Sequence, residues 1–343
     1  MTEPRLAVSE RSVVPPLTEL AQLLDAPGLR AVVAGTSKDP NAKVTVLLIR
    51  EGDEQPAIVA KVPTTDGAAV AVERERELLG AIEQLDLGPL RPTVPGVIGT
   101  VEWRGRRVLL TTGMSGSPMS TTYHRWRHNG SSAAVIADFR AAGDWLETFQ
   151  ERTATALGAG PNESDLSRLL RRRFAAHPGL GEALELLRDL EGSIADADLP
   201  PSAVQGDFWF GNLLLANRTV SGVVDWEHGV LVGQPARDWA RFAIGYALYL
   251  DRHTAAGRPV RGHRGLRAGA WGAGVVHAME GVGWFPSLFS AFLQRGLTRL
   301  GGPPRLWRHV ALVGLAEVAA VADHDAFAER HLELFQRLAG RTP

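Results

Sequence analysis

Apolar and polar positions alternate over the first part of the chain and recur at helical spacing over the rest. The β-rich runs 31–33 and 44–49 flank the turn-type segment "AGTSKDPNAK", and "GDE" then leads into a third run, "PAIVAKVP". That order predicts an antiparallel meander. "GAAVAVERERELLGAIEQL" changes period: Val72, Leu78, Leu79 and Ile82 share one helical face, with Glu and Arg on the other. "GVIGTVEWRGRRVLLTT" reads as a hairpin turned at Arg104, Gly105 and Arg106. A small five-stranded sheet with one helix is therefore expected up to about residue 112, preceded by a short amphipathic segment at 17–24.

Beyond the breaker-rich "GMSGSP" the pattern is mostly helical. "IADFRAAGDWLETFQERT" places Phe139, Trp145, Leu146 and Phe149 on one side. "DLSRLLRRRFAA" and "GEALELLRDLEGSIADA" predict two further helices, and 212–215 and 222–224 two short strands. From Arg237 on, helices are expected with breaks near 257–265, Pro286 and 301–304. A sheet-rich lobe over 1–112 followed by a helical lobe over 113–343 makes a two-lobed α+β fold.

Composition narrows the function classes. With 45% hydrophobic and 22% charged residues the chain can build an ordinary core. A net charge of −1 gives no field for nucleic acid or an anionic membrane. No cysteine is present, which removes disulfides, thiolate metal sites and a thiol nucleophile. The first residues lack a basic segment followed by an apolar one, and the apolar stretch 310–322 contains Glu317 and is too short to span a bilayer. A cytoplasmic protein is expected. Lysine occurs only at 38, 43 and 61 in a chain that otherwise uses arginine, and Lys61 sits in a strand.

The segment 204–229, "VQGDFWFGNLLLANRTVSGVVDWEHG", concentrates the chemistry. Phosphoryl transfer needs positioning, charge neutralisation by magnesium and a base for the attacking hydroxyl. Asp207, in a turn, can take a proton. Asn212 offers a neutral oxygen at the mouth of a strand, and Asp225 ends the next strand with a carboxylate. One Asp, one Asn and nucleotide oxygens satisfy magnesium.

This stretch resembles the aminoglycoside phosphotransferase and choline kinase group of the protein-kinase-like fold, which typically shows His-Gly-Asp, four residues, Asn, and then Ile-Asp-Trp-Glu. The resemblance implies Asp207 as catalytic base and Asn212 and Asp225 as magnesium ligands. Gln205 stands where the group usually has His, and Gln can also hydrogen-bond in both directions. Lys61 matches the strand lysine that contacts the α- and β-phosphates, with Glu75 as its helix partner in preference to Glu73. Ser37 and backbone groups of the 35–43 loop match a turn that covers the phosphates, and the backbone of Thr111 to Gly113 matches the adenine-binding hinge. The implied substrates are ATP or GTP, with Mg²⁺, and a small-molecule hydroxyl acceptor.

The acceptor is the least legible part. From residue 237 on, basic residues outnumber acidic ones by six, and Trp239, Trp271, Trp284 and Trp307 are candidates for stacking on rings. This favours a neutral or mildly anionic antibiotic, sugar or nucleoside over a polycation, with an aminoglycoside phosphotransferase proper or a sugar or choline-like metabolite kinase as alternatives. A pseudokinase is disfavoured because base, metal ligands and lysine are all retained. A protein kinase is disfavoured because no Ala-Pro-Glu follows Asp225. A glycosidase pair of Asp207 and Glu227 would leave Lys61, Glu75 and the sheet without a role.

Overall fold

The structure is a computed structural model that describes residues 28–36, 42–154 and 166–340. The segment 17–24 and Ser37 lie outside the described residues. By contacts the chain divides into two compact units, 1–76 with 97–113, and 77–96 with 114–343.

The smaller unit holds the expected five-stranded sheet. Its strands are β1 (Leu29–Thr36), β2 (Lys43–Arg50), β3 (Pro56–Pro63), β4 (Val97–Trp103) and β5 (Arg106–Thr112), in the spatial order β1-β2-β3-β5-β4. All neighbours are antiparallel. Strand alternation decides which face is buried: Val44, Val46 and Leu48 of β2 join Ala60, Val62, Val108 and Leu110 in one apolar cluster. The hairpin between β4 and β5 has a two-residue turn, with φ of +49° at Arg104 and +74° at Gly105, the left-handed pair whose twist matches the strands. Helix α1 (Asp66–Ile82) follows β3 and buries Val72, Leu78, Leu79 and Ile82. Its last turn and the 3₁₀ segment Gly88–Thr93 group with the larger unit, where the Trp145 indole N–H donates to the Thr93 hydroxyl at 2.8 Å.

The larger unit begins with the two-residue strand β6 (Ser117–Pro118) and the single turn α2 (Met119–Tyr123). The long helix α3 (Ser132–Thr153) buries Phe139, Trp145, Leu146 and Phe149, as its spacing predicts. Helices α4 (Leu166–Arg173) and α5 (Leu180–Ala195) follow. Four short strands come next: β7 (Ser202–Val204), β8 (Leu213–Ala216), β9 (Thr219–Val223) and β10 (Val230–Gly233). β7 pairs with β10, and β8 lies between β6 and β9. Helix α6 (Ala236–Leu248) runs through the apolar interior, with Trp239, Phe242, Ala243 and Tyr246 almost wholly excluded from water.

Two helical expectations are corrected. Residues 249–272 carry no helix, a longer gap than 257–265, because glycines 257, 262, 265, 269 and 272 all adopt positive φ and reverse the chain repeatedly. Pro286 does not break a helix. It lies in the first turn of α8 (Trp284–Arg299), where its missing N–H has no helical partner to lose, and the break falls at 281–283 after α7 (Ala273–Glu280). Helices α9 (Trp307–Val321) and α10 (Asp325–Ala339) close the unit. Among the described residues no helix is long and apolar enough to cross a membrane.

Candidate active site

In the smaller unit, Lys61 points from β3 to Glu75 on α1. Its Nζ lies 2.6 Å from each carboxylate oxygen, and both residues are buried. Glu73 is turned to the other side of the helix, where it pairs with Arg76 and Arg107. A lysine on a sheet with a bidentate carboxylate has its head group fixed in place. Thr111 lies in β5 between β3 and β4, its side chain buried. The Gly113 N–H donates to the Ala57 carbonyl at 2.9 Å, and a Cβ at Gly113 would fall 1.8 Å from the Pro56 carbonyl oxygen.

In the larger unit, Asp207, Asn212 and Asp225 come together on the loops around β8 and β9. The Asn212 side-chain amide donates to the Asp207 backbone carbonyl and to Asp207 Oδ2, both at 2.9 Å. The Asn212 carbonyl accepts the Val224 N–H at 3.0 Å, which ties the first loop to the residue before Asp225. Gln205, wholly buried, completes the bridge. Its Nε2 donates to the carbonyls of Val224 at 3.0 Å and Asp225 at 2.5 Å, and its Oε1 accepts the Asp207 N–H at 2.8 Å. Asp225 adopts φ of +63°, a left-handed conformation that an Asp tolerates at modest cost when its surroundings hold it. The Trp226 indole, donating to the Val223 carbonyl at 2.8 Å, anchors the turn from the other side.

Two residues that sequence reasoning missed hold Asp207. Asp238, in the first turn of α6 and fully buried, accepts the N–H groups of Gln205 at 2.8 Å and Gly206 at 2.9 Å. Burial pushes its carboxyl up to about 6, against the two backbone donors that favour the charged form. Gly206, at φ +85°, fits because a Cβ there would meet the His228 carbonyl oxygen at 2.1 Å. One turn along α6, Arg241 donates its Nε–H to Asp207 Oδ1 at 2.8 Å, and its Nη2 lies 2.6 Å from the same oxygen as an ion pair. The two oxygens of Asp207 are thus directed separately, one by a guanidinium and one by an amide. The available sequence signal was the charged group Arg237, Asp238 and Arg241 in the first half of a helix whose remaining positions are apolar or aromatic.

Among the described residues no group of three or more His, Asp or Glu is arranged to hold a metal ion. Asn212 and Asp225 nonetheless fit magnesium by donor type. The anchored amide nitrogen of Asn212 turns its Oδ1 the other way, and a neutral oxygen with one carboxylate suits a hard cation that keeps waters and phosphate oxygens. Glu227 is half-buried and lies 3.7 Å from His228.

A two-lobed α+β fold with a sheet-bound lysine pair and an Asp, Asn and Asp loop cluster defines a kinase-type phosphotransferase. The family described as "Phosphotransferase enzyme family" matches residues 42–271, and the chain belongs to it. The fold is that of aminoglycoside phosphotransferases. It is similar to APH(4)-Ia bound to ADP and hygromycin B, with a TM-score of 0.56 and 12% identity, covering 95% of this chain and 98% of that one. It is also similar to APH(2")-IIa in a streptomycin–ATP complex, with a TM-score of 0.52, 15% identity and coverage of 93% and 94%. A third likeness is to a putative aminoglycoside phosphotransferase from Ralstonia eutropha, with a TM-score of 0.52, 16% identity and coverage of 94% of each chain. A search of proteins with curated functions finds no match.

Proposed function

We propose that the chain transfers the γ-phosphate of ATP or GTP to a hydroxyl of a small molecule of antibiotic, sugar or nucleoside type. The smaller unit binds nucleotide and the larger one carries the base and the acceptor. The observation that supports this most is the tying of Asp207 directly to Asn212 and, through Gln205, to Asp225.

Asp207 receives the acceptor's hydroxyl proton. Arg241 and Asn212 hold its two oxygens, so the carboxylate meets the hydroxyl in one orientation. Lys61, fixed by Glu75, contacts the α- and β-phosphates. Ser37 and the backbone at Thr111 and Gly113 contact the nucleotide's phosphates and base. Asn212 and Asp225 are the residues that would hold magnesium, which when bound neutralises charge on the transferring phosphoryl group. At 12–16% identity the solved structures carry the fold alone, so the acceptor of this chain has to be read from its own pocket. The test is nucleotide consumption over a panel of hydroxyl acceptors, coupled to detection of the phosphorylated product. Consumption that does not depend on acceptor, or none at all, overturns the proposal.

A further inference from the structure

Resting on the reading of Asp207 as base, we infer that the acceptor carries little positive charge and presents a sugar or aromatic ring face, and that Trp209 and the Arg237–Glu317 pair set this preference. Within the larger unit a cavity of about 330 Å³ opens beside Asp207, with Trp209, Tyr249, Arg241, Glu317 and Phe327 among its walls. That volume is in the range of small-ligand sites.

The charges of this wall are already matched. Asp207 is engaged by Arg241 at 2.6 Å, and Glu317 faces Arg237 at 3.4 Å. Arg241 also acts on Glu317, whose carboxyl is pushed up by burial against the pull of both arginines. Each half-buried carboxylate of this wall therefore has a guanidinium beside it, and an ammonium at Asp207 would approach Arg241 as well. The remaining carboxylate, Asp323, is exposed, where screening makes a charge pair worth little. His228 and His324 add no negative charge.

Trp209 supplies the ring face. It lies between the base and Asn212, half-buried, with its ring 4.8 Å from Phe210 and 6.2 Å from Tyr249. Two glycines make room for it. A Cβ at Gly211 would come 2.3 Å from the indole, and one at Gly245 would come 3.2 Å from the Trp209 Cβ. The indole is thus seated as a fixed wall rather than a movable side chain. Aromatic walls also attract single cations, so one ammonium group is tolerated. Several are not, because the two arginines oppose each addition.

The experiment compares binding of neamine, which carries several ammonium groups, with binding of its fully N-formylated form, which keeps the rings and hydroxyls without charge. Calorimetry on the full chain reads binding alone, so its result is independent of whether phosphotransfer occurs. The neutral form is expected to bind about tenfold or more tightly than the cation. Arg237→Gln, which releases Glu317, is expected to narrow the gap by tightening neamine relative to the neutral form. Gly245→Ala, which presses on Trp209, is expected to weaken the neutral form several-fold, with thermal unfolding recorded to show that the variant is folded. Neamine binding as tightly as the neutral form or more so, or binding of neither, overturns the inference. Failure of the proposed phosphotransfer would instead show as absence of acceptor-dependent nucleotide consumption over the whole panel.

Discussion

The two charged centres are built by opposite means. In the smaller unit a strand and a helix each present one side chain, Lys61 and Glu75, and regular elements carry both members of the pair. In the larger unit Asp207 and Asp225 sit on loops, and their positions depend on a web of polar side chains, Gln205, Asn212, Asp238 and Arg241. Regular structure fixes a charge through its ladder of backbone bonds. A loop has no such ladder, so its orphan N–H and C=O groups are satisfied by buried side chains instead. The difference predicts that the first centre fails through one residue and the second through several.

The largest effect falls on the loop centre. Asp207→Asn removes the proposed base while keeping a similar shape, and turnover is expected to fall on the order of 10²–10⁴-fold with nucleotide affinity nearly intact. Steady-state kinetics with a separate nucleotide titration checks this. Near-normal turnover would remove Asp207 from the reaction.

Glu75→Gln is the matching cut in the sheet centre. It leaves the Lys61 charge buried without its counter-charge, and breaking such a pair costs about 3–5 kcal/mol. Denaturant unfolding should show that loss together with a raised KM for nucleotide. A variant as stable as the parent would mean the pair is solvated in solution.

Gln205→Leu tests the web. The Asp207 N–H and the carbonyls of Val224 and Asp225 lose a buried partner, at about 1–3 kcal/mol for each group left unsatisfied. Stability and kcat should fall together, while the KM for nucleotide stays near the parent value. A drop in stability with unchanged kcat would make Gln205 a packing residue only.

The smallest effect is a pH dependence. Asp238 has a folded pKa of about 6, raised above the ordinary carboxylate value of about 3.9. Between these values the folded chain binds the extra proton. The stabilisation is therefore present in full below about pH 4 and is lost as pH rises through 6, so acidifying from pH 7 to 5 adds about 1 kcal/mol from this group. Glu317, also raised by burial, contributes in the same direction. Unfolding midpoints at pH 5 and 7 should converge in Asp238→Asn relative to the parent. An identical pH difference in both proteins would show that Asp238 does not titrate in this range.

Legibility in the sequence follows the same division. The five strands and helix α1 were readable because apolar residues alternate at period two and then recur at helical spacing. Lys61 and Glu75 were readable as candidates because both lie on those elements. The trio of Asp207, Asn212 and Asp225 was readable from its local spacing. Asp238 and Arg241 were not, since they reach the loop from more than thirty residues away and nothing local to Asp207 calls for them. Trp209 stood inside the quoted motif, yet its position in a cavity wall depends on Gly245 in helix α6. Of the four tryptophans expected as stacking candidates, Trp239 is core, its indole N–H donating to Gln150 at 2.9 Å. The short strands β7 and β10 were missed because three or four residues are too few to show a period.

The central claim is that the loop trio is the phosphoryl-transfer centre, with Asp225 bringing the charge that magnesium needs. Its most direct test is ATP binding by calorimetry with and without magnesium, in the parent, Asp207→Asn and Asp225→Ala. Magnesium should strengthen ATP binding in the parent and in Asp207→Asn and have no effect in Asp225→Ala, because Asn212 alone is uncharged. A full magnesium effect in Asp225→Ala would contradict the assignment and shift attention to Glu227.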